Sequence, residues 1–168
     1  MKKLTKNFFS QETEIVAKNL LWKLIKVWNK QWIIIETEAY KQDCDEASHA
    51  FWKKTPRNAL MYETYGFVYV YLIYGMHYCL NLTTDEEKAG AVLIRWIKDF
   101  ETWKNYDGPW KTTKFLWIDK SFNWLDLEKT DKIEIYDIWT KIEDIEVTPR
   151  IGISKAKDKL WRFIVKEK

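Results

Sequence analysis

The chain has 168 residues, 46% of them hydrophobic and 32% charged, with a formal net charge of +3. This composition excludes a disordered or fibrous chain and is typical of one globular domain, which we expect over residues 1–168. No apolar run reaches the roughly 18 residues of a membrane helix, and the lysine-rich N-terminus has no signal-peptide core, so we expect a cytoplasmic protein without a membrane partner.

The N-terminal part of the sequence predicts a helix followed by a β-hairpin. Residues 11–21 form the helix, with Ser10 as its N-cap and Glu12 in its first turn. Residues 23–28 and 32–39 are rich in β-forming side chains and flank Asn-Lys-Gln. This composition predicts two strands joined by a tight turn.

The middle of the chain carries the densest β signal. Residues 40–56 are polar and irregular, apart from a short helical turn at DEASHAF, and residues 57–65 predict a short helix. Residues 67–84 alternate aromatic and aliphatic side chains, and Gly75 divides this run into two strands or into a strand and a tight bend. Residues 90–98 predict a further strand.

The C-terminal part adds a helix at 112–123, a strand at 132–138 and an apolar strand at LWRFIV. Because strands and helices mix without βαβ regularity, we predict an α+β fold: a single domain with a mixed, largely antiparallel, curved β-sheet flanked by short helices. The cysteines, Cys44 and Cys79, form neither a CxxC motif nor a His-rich cluster. We therefore expect free thiols, no metal site and no disulfide.

Tryptophan is abundant and glycine scarce, with 11 and 5 residues respectively, whereas average usage predicts roughly 12 glycines. Several tryptophans occupy positions that predict turns. Trp22 follows the predicted helix end, and Trp28 and Trp32 flank the predicted hairpin turn. Trp110 and Trp124 follow Asp-Gly-Pro and Phe-Asn. A Trp-rich core or a set of base-stacking rings is the alternative, but turn positions without one amphipathic period argue against it.

These positions suggest a hypothesis about the genetic code. We hypothesise that UGA codons translated as Trp are read as Gly in the source organism. The replacement would raise the glycine count from 5 to 15, close to average usage. The hypothesis covers every tryptophan except Trp161, namely Trp22, Trp28, Trp32, Trp52, Trp96, Trp103, Trp110, Trp117, Trp124 and Trp139.

Three segments carry candidate chemistry. Glu38, Tyr40 and His49 lie at a strand end and in the polar segment after it, which is the pattern either of an acid–base site or of ordinary loop polarity. The tyrosines of residues 67–84 predict either a sheet that packs on a helix or a platform for stacking bases. Arg95 ends an apolar strand, where an arginine must be paired or face a groove.

An ordered set of motifs resembles one known family. ETEAY, D-x-A-S-H-A, KTPRN-x-x-M, YVYLIYGMHYCLN, VLIR, GP-x-K and LWRF follow one another across residues 4–165. In this order they resemble the alkyladenine (3-methyladenine) DNA glycosylase family. The chain departs from the family where Trp replaces glycine or another small residue, at the same turn positions noted above.

The resemblance implies an enzyme that flips alkylated or deaminated purines, such as 3-methyladenine or hypoxanthine, out of duplex DNA and hydrolyses the N-glycosidic bond with an activated water. Glu38 would be the general base, and Arg95 would hold the water or Glu38. The enzyme would be monofunctional and monomeric, would act at the nucleoid, and would need no cofactor. Residues that would bind the flipped base are Tyr40, His49, Tyr71 and Asn81.

The resemblance also implies a DNA-binding surface. Tyr74 would fill the gap that the flipped nucleotide leaves, and Gly75 would let the backbone approach DNA. Further DNA contacts would come from Thr55, Arg57 and Lys111, in the basic stretches FWKKTPR and GPWKTTK. The alternatives are a non-catalytic nucleic-acid-binding module built on the tyrosines, or an inactive homologue if the tryptophans are literal.

Overall fold

The structure, a computed structural model, describes residues 1–139 and 144–166. Its helices are short: α1 (Lys6–Phe9), α2 (Thr13–Asn19), α3 (Ala59–Glu63) and α4 (Pro109–Leu116), with a 3-10 helix at Lys120–Phe122. Its strands are β1 (Lys2–Lys3), β2 (Leu24–Val27), β3 (Lys30–Lys41), β4 (Val68–Ile73), β5 (His77–Thr84), β6 (Gly90–Asp99), β7 (Asn105–Asp107), β8 (Ile133–Asp137), β9 (Ile145–Thr148) and β10 (Arg162–Val165).

The ten strands form one curled sheet. The main order is β1-β8-β2-β3-β6-β5-β4, while β10 pairs with β3 and β9, and β7 pairs with β6. Every pair of these strands is antiparallel. The predicted α+β class, with an antiparallel curved sheet and short helices, is confirmed. Within the described residues, no helix has the length and apolar character needed to span a membrane.

Strand β3 is the centre of the fold and is buried on both faces from Trp32 to Ala39. A β-bulge in its pairing with β6 lies between Ile34 and Thr37. Side chains alternate along a strand, yet Ile34 and Ala39, five residues apart, belong to the same core cluster. The bulge explains this spacing because it shifts the alternation by one residue, and it leaves Glu36 and Glu38 free to share the opposite face.

Helix α2 covers the apolar face of β3 and β6. Val16 and Ala17 are fully buried there, and the Thr37 hydroxyl donates a hydrogen bond of 2.7 Å to the Ala17 carbonyl. The helix is shorter than the predicted 11–21, and Ser10 is not its N-cap, since the Ser10 hydroxyl donates to the Asn7 carbonyl instead. The opposite face of the sheet is therefore free to carry polar side chains.

Most predicted strands are confirmed: the hairpin of β2 and β3, the pair β4 and β5, and the strands β6, β8 and β10. The helix predicted at 112–123 was wrong in both bounds. It begins at Pro109, where proline is pre-organised for the first turn, and it ends before Trp117, which is left-handed. The short helical turn predicted at DEASHAF is present as hydrogen-bonded turns without a helix, in which the Ser48 N–H donates to the Asp45 carbonyl and the Phe51 N–H to the Ser48 carbonyl. The sequence patterns did not predict α1, β1, β7 or β9.

Six of the eleven tryptophans have a positive φ, between 54° and 71°. Left-handed backbone was correctly predicted at Trp22 but the turn assignment was wrong at two sites. Trp32 lies in β3 with a ring only 2% exposed, and Trp110 lies in the first turn of α4. The conformational argument for glycine therefore applies to Trp22, Trp28, Trp103, Trp117, Trp124 and Trp139.

Candidate active site

The register of the antiparallel strands brings four distant residues into one row. Glu38 on β3 lies opposite Leu93 on β6, Leu93 lies opposite Asn81 on β5, and Asn81 lies opposite Tyr69 on β4. Because directly opposed residues share a face of the sheet, these side chains lie on the face away from α2. The functional residues predicted in three separate segments therefore meet on one surface.

A cavity of about 680 Å³ opens on this face, a size typical of small-ligand sites. Glu38, Thr55 and Lys111 are not part of its wall. The Thr55 hydroxyl and backbone N–H both donate to Asn58, and Lys111 lies on α4 beside Trp110. Eight of the eleven predicted site residues line the cavity: Tyr40, His49, Arg57, Tyr71, Tyr74, Gly75, Asn81 and Arg95.

Glu38 is fully buried directly behind the cavity wall. Its Oε2 accepts a hydrogen bond of 2.8 Å from the Tyr40 hydroxyl, and its Oε1 accepts one of 2.7 Å from the backbone N–H of Ile151. The Nε of Arg95 lies 3.4 Å from Oε1. Burial raises the pKa of the Glu38 carboxyl above its usual value, and these three donors only partly oppose the rise.

Tyr40 forms one wall of the cavity. The Arg150 guanidinium lies over its ring, 4.5 Å from the centroid. Burial, and then the adjacent Glu38 carboxylate, raise the pKa of the Tyr40 phenol far above its usual value, so the phenol stays protonated and donates to Glu38. The Tyr40 ring and the Glu38 carboxylate are thus fixed as one unit.

Another part of the cavity wall is a stack of three planar groups. The His49 ring lies 3.9 Å from the Tyr71 ring, centroid to centroid, and the Arg57 guanidinium lies 4.2 Å from the centroid of the same tyrosine. The Nδ1 of His49 is 3.1 Å from the Tyr69 hydroxyl. Surrounding side chains screen His49 from bulk water and, together with Arg57, lower its pKa to about 4. The imidazole is therefore neutral at pH 7.

Asn81 on β5 also lines the cavity. Its Nδ2 donates to the carbonyls of Tyr69, at 3.2 Å, and Cys79, at 3.3 Å. Both amide protons are therefore engaged by backbone, and Oδ1 is the polar atom of this side chain left to meet a ligand. The amide is fixed in orientation before any ligand binds.

The β4–β5 hairpin projects Tyr74 from the rim of the cavity. Tyr74 and Gly75 both have positive φ, 52° and 69°, and the Met76 N–H closes the turn on the Ile73 carbonyl. A tyrosine in left-handed backbone is strained, and such strain concentrates at functional sites. The Tyr74 side chain is 87% exposed, so the turn presents a large aromatic ring to solvent at the cavity mouth.

The sequence patterns missed three parts of the site. Asp45 and Arg150 form a fully buried ion pair, with the Nη1 of Arg150 2.7 Å from the Asp45 carboxylate and 2.9 Å from the Ala39 carbonyl. This pair fixes the loop whose Ile151 N–H reaches Glu38. Glu36, paired with Arg95 and Arg162, is the third part. A signal was available, since the four arginines of the chain, Arg57, Arg95, Arg150 and Arg162, all contact this site.

The two cysteines are free thiols, with Cys44 exposed and Cys79 buried beside the cavity. Burial raises the pKa of the Cys79 thiol to about 11, so it is protonated at neutral pH. Among residues 1–139 and 144–166, no cluster of three or more His, Cys, Asp or Glu side chains is arranged to hold a metal ion. The polar chemistry of the site comes from the carboxylate, phenol, imidazole and guanidinium groups described above.

Comparison with known proteins identifies the family. A family model described as methylpurine-DNA glycosylase (MPG) matches residues 7–168. A relative from Ehrlichia ruminantium (strain Welgevonden), named "Putative 3-methyladenine DNA glycosylase", is 44% identical over 167 residues, covering 96% of this chain and 88% of the relative.

Two further relatives have the same name. The protein from Wolbachia sp. subsp. Brugia malayi (strain TRS) is 44% identical over 162 residues, or 95% of each chain. The protein from Rickettsia felis (strain ATCC VR-1525 / URRWXCal2) is 41% identical over 164 residues, covering 96% of this chain and 92% of the relative. With a family model that matches nearly the whole chain and relatives of this similarity, the chain belongs to the methylpurine-DNA glycosylase family and is a DNA glycosylase.

Proposed function

We propose that this DNA glycosylase flips 3-methyladenine-type purines out of duplex DNA into the cavity and hydrolyses their N-glycosidic bond with a water activated by Glu38. The observation that carries the proposal is the buried Glu38 carboxylate, bonded to Tyr40 and Ile151 directly behind an aromatic-walled cavity. A module that only bound DNA would gain nothing from this carboxylate, because burying an anion costs free energy and an anion repels phosphates.

The two walls suit a planar, positively charged base. A purine alkylated at a ring nitrogen carries a positive charge, and the face of the Tyr40 ring that Arg150 does not cover would attract it through cation–π interaction. Tyr71, which stacks on His49, would support the His49 side of the pocket. The low pKa of His49 keeps its imidazole neutral at pH 7, so His49 would stack on the cationic base without repelling it. Asn81 Oδ1 would accept a hydrogen bond from the base edge.

The chemical step follows from the position of Glu38. The carboxylate would take a proton from water while the water oxygen forms a bond to C1′ of the sugar. The C1′–N bond would break with its electron pair retained by the base, so a cationic alkylpurine would leave as a neutral molecule without a general acid. Arg95, 3.4 Å from the same carboxylate, would orient Glu38 and the water. No lysine is needed as nucleophile, so the enzyme would be monofunctional.

Extrusion of the base would depend on the β4–β5 hairpin. A base stacked in a duplex cannot reach a buried carboxylate, and flipping it costs a few kcal/mol. The exposed ring of Tyr74 would fill the gap in the stack, while Gly75, which has no atom within 4 Å of the position of a Cβ, would let the backbone approach DNA. Thr55, Arg57 and Lys111 would contact the DNA around the cavity. Since one chain supplies every proposed site residue, we also propose a monomer, acting on cytoplasmic, nucleoid DNA.

The proposal is tested by offering the enzyme duplexes with methylated purines or with hypoxanthine and identifying the released base by chromatography. We expect release of free 3-methyladenine and an intact abasic strand. Slower release of hypoxanthine is expected because that base is neutral. Strand cleavage without added base, or no release from either duplex, would contradict the proposal.

A further inference from the structure

A second buried carboxylate, Glu36, lies two residues before Glu38 and on the same face of the sheet. Its Oε1 accepts hydrogen bonds from the Nε of Arg95, at 2.8 Å, and from the Nε of Arg162, at 2.5 Å. The Nε of Arg95 is farther from Glu38, at 3.4 Å. Arg95 is therefore held more tightly by Glu36 than by the proposed general base.

Glu36, Glu38, Arg95 and Arg162 form a cluster of two negative and two positive side chains, in which Arg95 lies closer to Glu36 than to Glu38. The two carboxylates are almost completely removed from solvent, while the side chains of Arg95 and Arg162 are 10% and 17% exposed. Arg162 is fixed further by Thr148, whose Oγ1 accepts a hydrogen bond of 2.9 Å from Nη1. The β-bulge in β3 is what brings Glu36 next to Arg95, since it interrupts the regular pairing at this point.

We propose that Glu36 is a positioning residue: its carboxylate holds the Arg95 guanidinium away from full contact with Glu38, leaving Glu38 free to accept a proton and Arg95 free to orient the attacking water. This inference rests on the proposed role of Glu38 as the base. An arginine in full contact with Glu38 would stabilise the carboxylate form and make it a weaker base. Glu36 prevents this by competing for the same guanidinium.

The groups around Glu38 determine what loss of Glu36 would do. The charged or titratable groups that face Glu38 are Glu36 and Tyr40 on β3, Arg95 on β6, Cys79 on β5, Arg162 on β10, and Arg150 in the loop after β9. When Glu36 is replaced by glutamine, Arg95 loses the carboxylate 2.8 Å from its Nε, and Glu38, at 3.4 Å, is the carboxylate left beside it. The loss of the Glu36 charge and a closer approach of Arg95 both favour the ionised form of Glu38 and lower its pKa.

The experiment measures single-turnover base release by the full chain against pH. The acid limb of this profile is the pH range over which the release rate falls as pH drops, and for Glu36→Gln we expect it to move down by about 1 pH unit. On the plateau above that range, we expect the release rate to fall about 10- to 100-fold because Arg95 is displaced. The double variant Glu36→Gln/Arg162→Gln removes one charge of each sign, so that Arg162 is not left buried without its carboxylate, and it is expected to move the acid limb in the same direction.

The matched control is Glu134→Gln. Glu134 also pairs with two cations, Lys3 and Lys26, each at 3.2 Å, but it lies on β8 away from the cavity. The Glu134→Gln variant should show the same pH profile as the wild type. The inference would be overturned if both Glu36 variants had the same acid limb as the wild type. Glu38→Gln, measured in parallel, separates the two proposals: its retained activity would refute the base itself, whereas its inactivity with unshifted Glu36 variants would refute only the role of Glu36.

Discussion

Replacing the six left-handed tryptophans with glycine is expected to stabilise the protein strongly. The variant changes Trp22, Trp28, Trp103, Trp117, Trp124 and Trp139, whose φ values lie between 54° and 71°. An L-residue in this region carries a penalty of about 1–2 kcal/mol, so six sites sum to about 6–12 kcal/mol. The whole stability of a domain is only about 5–15 kcal/mol, so the penalty decides whether the chain folds.

The interactions that these rings would lose are smaller. Five of the six rings are 48–70% exposed, so their removal uncovers little apolar surface. Lys30 lies over Trp117 at 4.4 Å and Lys98 over Trp103 at 5.1 Å, and such exposed cation–π contacts contribute about 0.5–1 kcal/mol each. The net change therefore favours glycine by several kcal/mol.

Thermal melting followed by circular dichroism measures this effect. One kcal/mol corresponds to about 2–4 °C for a chain of this size, so we expect the Tm of the six-fold variant to rise by more than about 10 °C. The control is Trp32→Gly, which relieves no positive φ and removes a ring only 2% exposed, and which should lower the Tm. A six-fold variant that melts at or below the original chain would refute the reasoning.

The identity of these residues in the native protein is a separate question. Mass spectrometry of the protein from its source organism would read each position directly. Glycine at the six left-handed positions would support reassignment of UGA. Tryptophan there would refute it, even if the glycine variant were more stable.

Three further predictions concern the site. Tyr74→Ala should slow release of a base paired within a duplex much more than release of an unpaired base, and equal losses on the two substrates would argue that Tyr74 does not fill the stack. Asp45→Asn leaves Arg150 buried without its carboxylate and should lower the free energy of unfolding by about 3–5 kcal/mol in urea titrations; a loss below about 1 kcal/mol would show that Arg150 is not held by this pair. Because the pKa of Glu38 is raised above 4.5, release should fall as pH drops through that raised value, and His49→Gln should leave this acid limb in place since His49 is already neutral above its pKa of about 4; an inflection near pH 6.5 lost in His49→Gln would contradict this assignment.

Local sequence patterns were enough to predict most strands and the part of the site formed by Glu38 and Tyr40. Glu38 and Tyr40 are two residues apart on a strand, a spacing that places both side chains on one face. The β-forming run of residues 67–84, broken at Gly75, predicted either two strands or a strand and a tight bend, and the structure has the two strands β4 and β5. These features are encoded within a few residues, so the sequence reveals them without knowledge of long-range contacts.

The missing parts depend on contacts between distant residues. Asp45 pairs with Arg150 across 105 residues, and the Ile151 N–H reaches Glu38 across 113. Glu36 contacts Arg95 at a β-bulge between β3 and β6, and the local composition did not predict this bulge. Trp32 was expected at the edge of a turn because Asn-Lys-Gln favoured a longer loop than the one between β2 and β3, whereas β3 begins at Lys30 and places Trp32 inside the strand.

The central claim, that Glu38 is the general base of this DNA glycosylase, is tested most directly by Glu38→Gln. Glutamine keeps the size of the side chain and its contact with Tyr40 but cannot accept a proton from water. Single-turnover release of 3-methyladenine and the Kd for the same duplex should be measured together. We expect release to be abolished while the Kd changes by less than about threefold, equivalent to about 0.6 kcal/mol. Release at near the wild-type rate would contradict the account.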